Sequence, residues 1–187
     1  MAITTLDPQT ALVVIDLQKG ILALPTAHPT GPVVEQAVAL LEAFRRHRLP
    51  VVLVNVAGGA PGRTEQPRNT AGFPAGWADL APELNPQPED HRVTKHTWGA
   101  FTNTDLEQYL KSKGVTQVVV IGVATSIGVE STARHAYELG LNVTLATDAM
   151  TDLNADAHHN AITRIFPRLG ETGTTREIVD LLDRTHA

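Results

Sequence analysis

The chain has 187 residues, enough for one domain with a substantial core, and 42% of them are hydrophobic. Its 15 basic and 20 acidic residues give a net charge of −5, which repels a phosphate backbone and argues against nucleic acid as a partner. No apolar run reaches the roughly 20 residues of a membrane-spanning helix, and the first residues lack a secretory signal. We therefore expect a cytoplasmic protein with no membrane partner. The absence of cysteine excludes disulfides, thiolate metal sites and a cysteine nucleophile.

The first part of the chain predicts a strand, a helix and a second strand. The apolar run Ala11–Ile15 lacks polar alternation, which is typical of a strand covered on both faces of a parallel sheet. Residues 33–47 carry apolar side chains near helical spacing, and arginines cluster at their end, which predicts an amphipathic helix. The run Val51–Val56 predicts a second buried strand. Such a unit has a right-handed connection.

The rest of the chain repeats this alternation. Strands are predicted at 91–95, 115–123 and 141–146, and helices at 104–113, 126–139, 155–168 and 175–184. Thr104 with Glu107 and Thr174 with Glu177 have the spacing of a capping box. Strands that alternate with helices predict a doubly wound α/β fold, here one domain over residues 1–187.

A segment rich in proline and glycine interrupts the alternation at about residues 57–90. It holds six of the twelve prolines of the chain, and five glycines. Its length exceeds the usual connection of a few residues, which favours a binding lid, a subunit contact or both. A decorated surface loop is the alternative.

Polar residues at the carboxyl ends of the predicted strands are the first candidates for a site, because ligands bind beyond these ends in a doubly wound sheet. Asp16 ends the first strand, Lys95 ends the strand before the turn Trp98–Phe101, and Val123–Gly128 joins the most apolar strand to its helix. Taken singly, each signal is weak. A strand-end aspartate is more often a turn residue, and a lone lysine is more often solvated.

Taken together, these segments resemble the isochorismatase-like hydrolase superfamily, the cysteine hydrolase family. The resemblance extends from Ala11 to about Leu182, and it rests on the residues Val14–Gln18, Lys95, Ala100, Phe101, Gly122–Thr125, Glu130–Arg134 and Asp148–Met150. It implies a three-layer α-β-α sandwich with a six-stranded parallel sheet, and it implies a homo-oligomer.

The resemblance also assigns catalytic positions. Most relatives use an aspartate, a lysine and a cysteine, and here these positions hold Asp16, Lys95 and Gly128. Asp16 would be the acid or base and Lys95 its electrostatic partner, while the acyl-enzyme route is closed without a nucleophile. A smaller branch, the isochorismate-cleaving enzymes, also carries glycine there and hydrolyses a vinyl ether without covalent catalysis. That branch usually has a histidine where this chain has Ser126, so the match to it is incomplete.

The remaining expectations concern the pocket. The resemblance implies a cis peptide at Val123–Ala124, an oxyanion-binding amide at Gly128, and room for substrate left by the glycine. Further expected substrate contacts are Leu17, Trp98, Phe101, Ala124, Thr125 and Ser126, with Arg63 or Arg68 available for a substrate carboxylate. As alternatives, the aromatic residues pack the core or a subunit contact, and the hydroxyl residues cap a helix.

Three functions follow as hypotheses. The leading one is a hydrolase without cofactor or metal that acts on a small, carboxylated substrate, with isochorismate-type ether cleavage as its sharpest form. The second is a non-catalytic member that binds a small molecule or a partner protein. The third is an amidohydrolase with a serine or threonine nucleophile, for which Thr125, Ser126 and Ser131 are candidates. The ligand pattern of zinc-dependent relatives is missing from residues 55–64, and adjacent His158 and His159 do not form a chelating pair.

Overall fold

A computed structural model of the chain describes residues 3–66 and 72–186. Its centre is a six-stranded parallel sheet with the strand order β3-β2-β1-β4-β5-β6. The strands are β1 (Thr10–Ile15), β2 (Val51–Val56), β3 (His91–Lys95), β4 (Gln117–Val123), β5 (Asn142–Thr151) and β6 (Glu171–Gly173). This is the doubly wound α/β architecture that the sequence predicts.

Seven helices accompany the sheet in the described part of the chain. They are α1 (Lys19–Leu22), α2 (Thr30–Arg46), α3 (Leu106–Ser112), α4 (Glu130–Glu138), α5 (Ala155–Asn160), α6 (Phe166–Leu169) and α7 (Thr175–Thr185). A single 3₁₀ turn lies at Pro82–Leu84, and π-helical turns at Thr125–Val129 and Ala161–Ile165 precede α4 and α6. None of these helices is long and apolar enough to cross a membrane.

The core has two parts, one on each face of the sheet. Strand β1 is buried on both faces, so Leu12 and Val14 join the cluster beneath α2 and α7, whereas Val13 and Ile15 join the cluster beneath α3 and α4. This explains why β1 lacks polar alternation, since a strand with helices on both sides has no solvent face. The three layers of the predicted sandwich are therefore present.

Local predictions hold where the sequence signal is local. The limits of β2 and β3 match the prediction, and Thr174 and Glu177 form the expected capping box. The capping box predicted at Thr104 is wrong: its hydroxyl donates to the carbonyl of Ala100, and the Glu107 carboxylate accepts from Lys111.

The boundaries of other helices and strands differ from the prediction because they depend on tertiary packing. Strand β5 continues to Thr151, five residues beyond the predicted end. The predicted helices 126–139 and 155–168 each contain a π-helical turn, and neither α1 nor β6 was predicted. With four and three residues respectively, these two elements are too short to give a periodic signal.

The strand order reverses between β1 and β4, which places a crevice between their carboxyl ends. Gly122 allows these strands to approach there. Its φ is +121°, and a Cβ at this position would lie 2.0 Å from the carbonyl oxygen of Ile15. Only glycine fits, so the two strand ends that carry the candidate site lie side by side.

Part of the segment 57–90 is bound to the sheet next to this crevice. Residues Gln18 and Leu80 form an antiparallel bridge, the Ala81 N–H donates to the carbonyl of Leu17, and the Lys19 N–H donates to the carbonyl of Asp79. The end of the long segment is thereby fixed alongside residues 17–20.

Candidate active site

Asp16 follows β1 directly and has a left-handed backbone with φ of +52°, which aspartate tolerates better than most residues. Its N–H donates to the carbonyl of Val54 at 2.9 Å, which fixes the turn. The residue is 4% exposed. Carboxylate Oδ2 accepts a hydrogen bond from Lys95, whereas the buried Oδ1 has no hydrogen-bond partner among the residues that the structure describes.

Lys95 is the last residue of β3, two strands from Asp16, and it is 2% exposed. Its ammonium Nζ lies 2.7 Å from Asp16 Oδ2 and donates also to the carbonyl of Thr97 at 3.1 Å. Two of its three N–H donors are therefore used within the protein. The lysine is a fixed, buried positive charge beside the carboxyl group.

Burial raises the pKa of Asp16 to about 6, and the charge and hydrogen bond of Lys95 only partly oppose this rise. The two effects oppose each other, and burial is the larger one. A carboxylate needs several donors to be stable away from water, and among the described residues Asp16 has a single one. The carboxyl group is therefore protonated below about pH 6.

Gly128 lies in the π-helical turn after β4 and is buried against the ion pair. A Cβ at this position would be 3.4 Å from Asp16 Oδ2, so the structure brings all three predicted catalytic positions together. The Val123–Ala124 peptide bond is cis, as the resemblance implies.

Gly128 lines the cleft, so room for substrate at this position stays an expectation. A Cβ would lie 2.8 Å from Ile15 Cγ2 and 3.6 Å from the carbonyl oxygen of Trp98, so any side chain here would require Ile15 to shift. The glycine lets the start of the helix approach Asp16 closely.

A cleft of about 220 Å³ opens beside the ion pair. Trp98 at its rim is 62% exposed, and Leu24 and Leu153 are also exposed. The lining consists of Asp16, Ile21, Leu24, Val56, Gly58, Gly59, Trp77, Lys95, Thr97, Trp98, Val123, Ala124, Ile127, Gly128 and Leu153. Trp98 and Ala124 are thus where the sequence places them.

Two predicted pocket residues lie in the core instead. Leu17 is fully buried beneath α2, because the left-handed turn at Asp16 directs the next side chain away from the cleft. Phe101 is buried in the other cluster and stacks on His135 with ring centroids 5.0 Å apart.

Thr125 and Ser126 are adjacent to the lining but are not part of it. The Thr125 hydroxyl lies 2.8 Å from Nδ1 of His158, and the Ser126 N–H donates to the Asp152 carboxylate at 2.7 Å. The Thr125 hydroxyl and the Ser126 N–H are thus bound within the protein, and these contacts hold the backbone between the cis peptide and Gly128 in place.

Sequence reasoning missed Trp77, Ile127, Leu153 and Asp152. Trp77 lies in the proline- and glycine-rich segment, where no periodicity indicates which residues turn inward. Asp152 had a usable signal, because it follows a strand in the same way as Asp16, but the strand was predicted to end too early.

The described lining of the cleft contains neither a metal-binding group nor the arginines expected to bind a substrate carboxylate. Within residues 3–66 and 72–186, no group of three or more histidine, aspartate or glutamate side chains could hold a metal ion. Arg63 is exposed and does not belong to the lining, and Arg68 lies outside the described residues.

The fold is that of an isochorismatase-like α/β hydrolase, as comparison with known proteins shows. The model of the isochorismatase domain matches residues 10–177. YwoC, an isochorismatase family protein of Bacillus subtilis, is 42% identical over 92% of this chain and 93% of its own length. YecD, an isochorismatase family protein of Escherichia coli O157:H7, is 39% identical over 92% of this chain and 96% of its own.

A solved structure points to the same family. The isochorismatase family protein from Burkholderia thailandensis matches with a TM-score of 0.93 and 43% identity, over 97% of this chain and all of that one. The chain therefore belongs to the isochorismatase family and is a hydrolase of that family.

Proposed function

We propose that the protein hydrolyses a small substrate by acid–base chemistry at Asp16, without a cysteine nucleophile, a metal or a cofactor. The observation that carries this proposal is the environment of Asp16. One carboxyl oxygen is bound to Lys95, the other is buried without a partner in the described part of the chain, and the pKa is raised to about 6. General acids commonly have pKa values raised by burial towards the working pH.

Cleavage of a vinyl ether is the reaction that best suits such a group. Asp16 donates its proton to the terminal alkene carbon, and the resulting oxocarbenium ion is captured by water. The hemiketal formed then loses the alcohol to give a ketone, and the proton released by the water returns to Asp16. Throughout the cycle, the Lys95 ammonium 2.7 Å away stabilises the carboxylate that remains after proton donation.

One contact favours the amidohydrolase alternative. The Thr125 hydroxyl and His158 Nδ1 are 2.8 Å apart, which is the spacing of a nucleophile and its base. Burial and the neighbouring His28 lower the pKa of His158, so its imidazole is neutral at pH 7. However, Thr125 is fully buried and is not in the lining of the cleft. The acid–base proposal is therefore preferred.

The test compares the wild type with Asp16→Asn on isochorismate, simpler vinyl ethers and a panel of small amides. Removal of a general acid costs about 10²- to 10⁴-fold in kcat. We expect ether hydrolysis to fall by this factor in Asp16→Asn and to remain in Thr125→Val. Asp79→Asn, which breaks the exposed pair with Lys19, is the matched control.

A second variant tests whether a loss of activity in Asp16→Asn results from misfolding. The double variant Asp16→Asn/Lys95→Met removes the acid without leaving an unpaired ammonium in the protein interior. Folded Asp16 variants that keep wild-type turnover would refute the proposal. Amide hydrolysis lost in Thr125→Val would favour the alternative nucleophile, and binding without any turnover would favour a non-catalytic role.

A further inference from the structure

The lining of the cleft contains only two ionisable side chains among the residues that the structure describes. These are Asp16 and Lys95, which lie 2.7 Å apart and neutralise each other above the Asp16 pKa of about 6. Thr97 contributes a hydroxyl, but this hydroxyl donates to the carbonyl of Gly99. The other lining residues are apolar or glycine. The walls around the reacting group are therefore those of a site for an uncharged molecule.

A substrate carboxylate would be poorly stabilised in this cleft. Lys95 Nζ already donates to Asp16 and to the carbonyl of Thr97, which leaves one N–H donor, and the described lining offers no other cation. At pH 7.5, where Asp16 is mostly ionised, an anion here would lose its water, meet no uncompensated cation of the described lining and face the Asp16 carboxylate. Unpaired buried charge is strongly unfavourable, whereas apolar surface gains free energy from burial.

Trp77 gives this apolar wall a fixed shape. Its indole lies directly on the backbone of Gly20, where a Cβ would be 2.1 Å from the ring atoms Cδ1 and Nε1. Phe73 stacks on the indole with ring centroids 3.8 Å apart and planes 15° from parallel. The Trp77 carbonyl accepts from the Gly20 N–H and from the Gln18 side chain. Such prior ordering lowers the entropic cost of binding a ring.

We propose that Trp77 determines substrate specificity and that the substrate has a neutral, apolar or aromatic body that packs against this indole. This inference rests on the proposed function only in assigning the reaction to the Asp16 cleft. It replaces the expectation of a carboxylated substrate, and among vinyl ethers it selects uncharged ones over isochorismate. Trp77 packs against the part of the substrate that does not react.

Intrinsic fluorescence tests binding directly, because both tryptophans of the chain, Trp77 and Trp98, line the cleft. The full-length protein is titrated at pH 7.5 with benzamide and with benzoate, which share a ring and differ in charge. We expect benzamide to bind at least about tenfold more tightly than benzoate. Trp77→Ala removes the aromatic contact with the benzamide ring and should therefore weaken benzamide binding about tenfold. Trp98 remains as the fluorescent reporter in this variant. Trp77→Phe should restore most of the affinity.

Two glycine variants test whether benzamide binding depends on the position of the Trp77 indole as well as on its presence. Gly20→Ala forces the ring to move and should weaken benzamide binding as Trp77→Ala does, although it leaves the indole in the protein. Gly31→Ala is the matched control, because a Cβ at Gly31 has nothing within 4 Å, and it should leave binding unchanged. Thermal unfolding of each variant checks that it is folded.

The outcomes distinguish this inference from the proposed function. Benzoate binding as tightly as benzamide, no binding of either, or wild-type affinity in folded Trp77→Ala would overturn the inference. Asp16-dependent hydrolysis of a carboxylated ether in that case would leave the proposed function standing. Conversely, Trp77-dependent benzamide binding without any Asp16-dependent hydrolysis would support the inference and refute the proposed function.

Discussion

Replacement of Lys95 by methionine should move the pH dependence of catalysis to higher pH. In the wild type, burial raises the pKa of Asp16 to about 6 while the charge and hydrogen bond of Lys95 lower it. Methionine keeps much of the volume and the burial but removes both lowering effects. Since an adjacent opposite charge typically lowers a carboxyl pKa by about 1 to 3 units, the Asp16 pKa should rise to about 7 to 9 in the variant.

The sign of the effect on rate follows from the protonated form being the active one. With a pKa of about 6, roughly one-tenth of Asp16 carries a proton at pH 7 and one-hundredth at pH 8, so wild-type kcat/KM should fall about tenfold per unit above pH 7. In Lys95→Met the decline should begin 1 to 3 units later. The plateau should be lower, because Lys95 no longer stabilises the carboxylate left after proton donation.

The assay is kcat/KM for a vinyl ether from pH 4.5 to 9, with the folded state checked at each pH. Lys111→Met is the matched control, because Lys111 forms an exposed pair with Glu107 on α3, and its profile should coincide with the wild type. A decline at the same pH in Lys95→Met and wild type would refute the assignment of the decline to Asp16. Activity that rises through pH 6 would show that Asp16 acts as a base.

Three predictions concern stability and are measured by urea unfolding at pH 7. Asp16→Asn keeps the backbone conformation, since asparagine also tolerates positive φ, but it leaves the Lys95 ammonium buried without an anion. We expect the free energy of unfolding to fall by about 3 to 5 kcal/mol, and adding Lys95→Met should restore most of it. Gly122→Ala should lower the free energy of unfolding by about 2 to 5 kcal/mol, because its Cβ would collide with the Ile15 carbonyl. A decrease below about 1 kcal/mol would contradict the close approach of β1 and β4. Thr174→Ala removes a capping box and should cost about 1 kcal/mol, which Thr174→Ser should mostly restore.

The central strands and the polar pair at their ends could be predicted because the relevant signals are local. Strand β1 is an unbroken apolar run, and Asp16 and Lys95 end parallel strands, whose carboxyl ends share one edge of the sheet. Trp77 could not be predicted, since its position depends on Gly20, more than fifty residues earlier in the chain. Leu17 was placed wrongly because nothing in the sequence indicates the positive φ of the preceding residue.

The unpartnered oxygen of Asp16 also limits which substrates the site can activate. A substrate that donates a hydrogen bond to Oδ1 would stabilise the carboxylate and lower the pKa, which would remove the proton needed for catalysis. A substrate that presents an acceptor, such as an electron-rich alkene carbon, makes no such contact and leaves the proton in place. Because Oδ1 is buried and the surrounding walls are apolar, the carboxylate gains little stabilisation from solvent. Acid chemistry without a cysteine therefore depends on keeping every donor except Lys95 away from this carboxyl group.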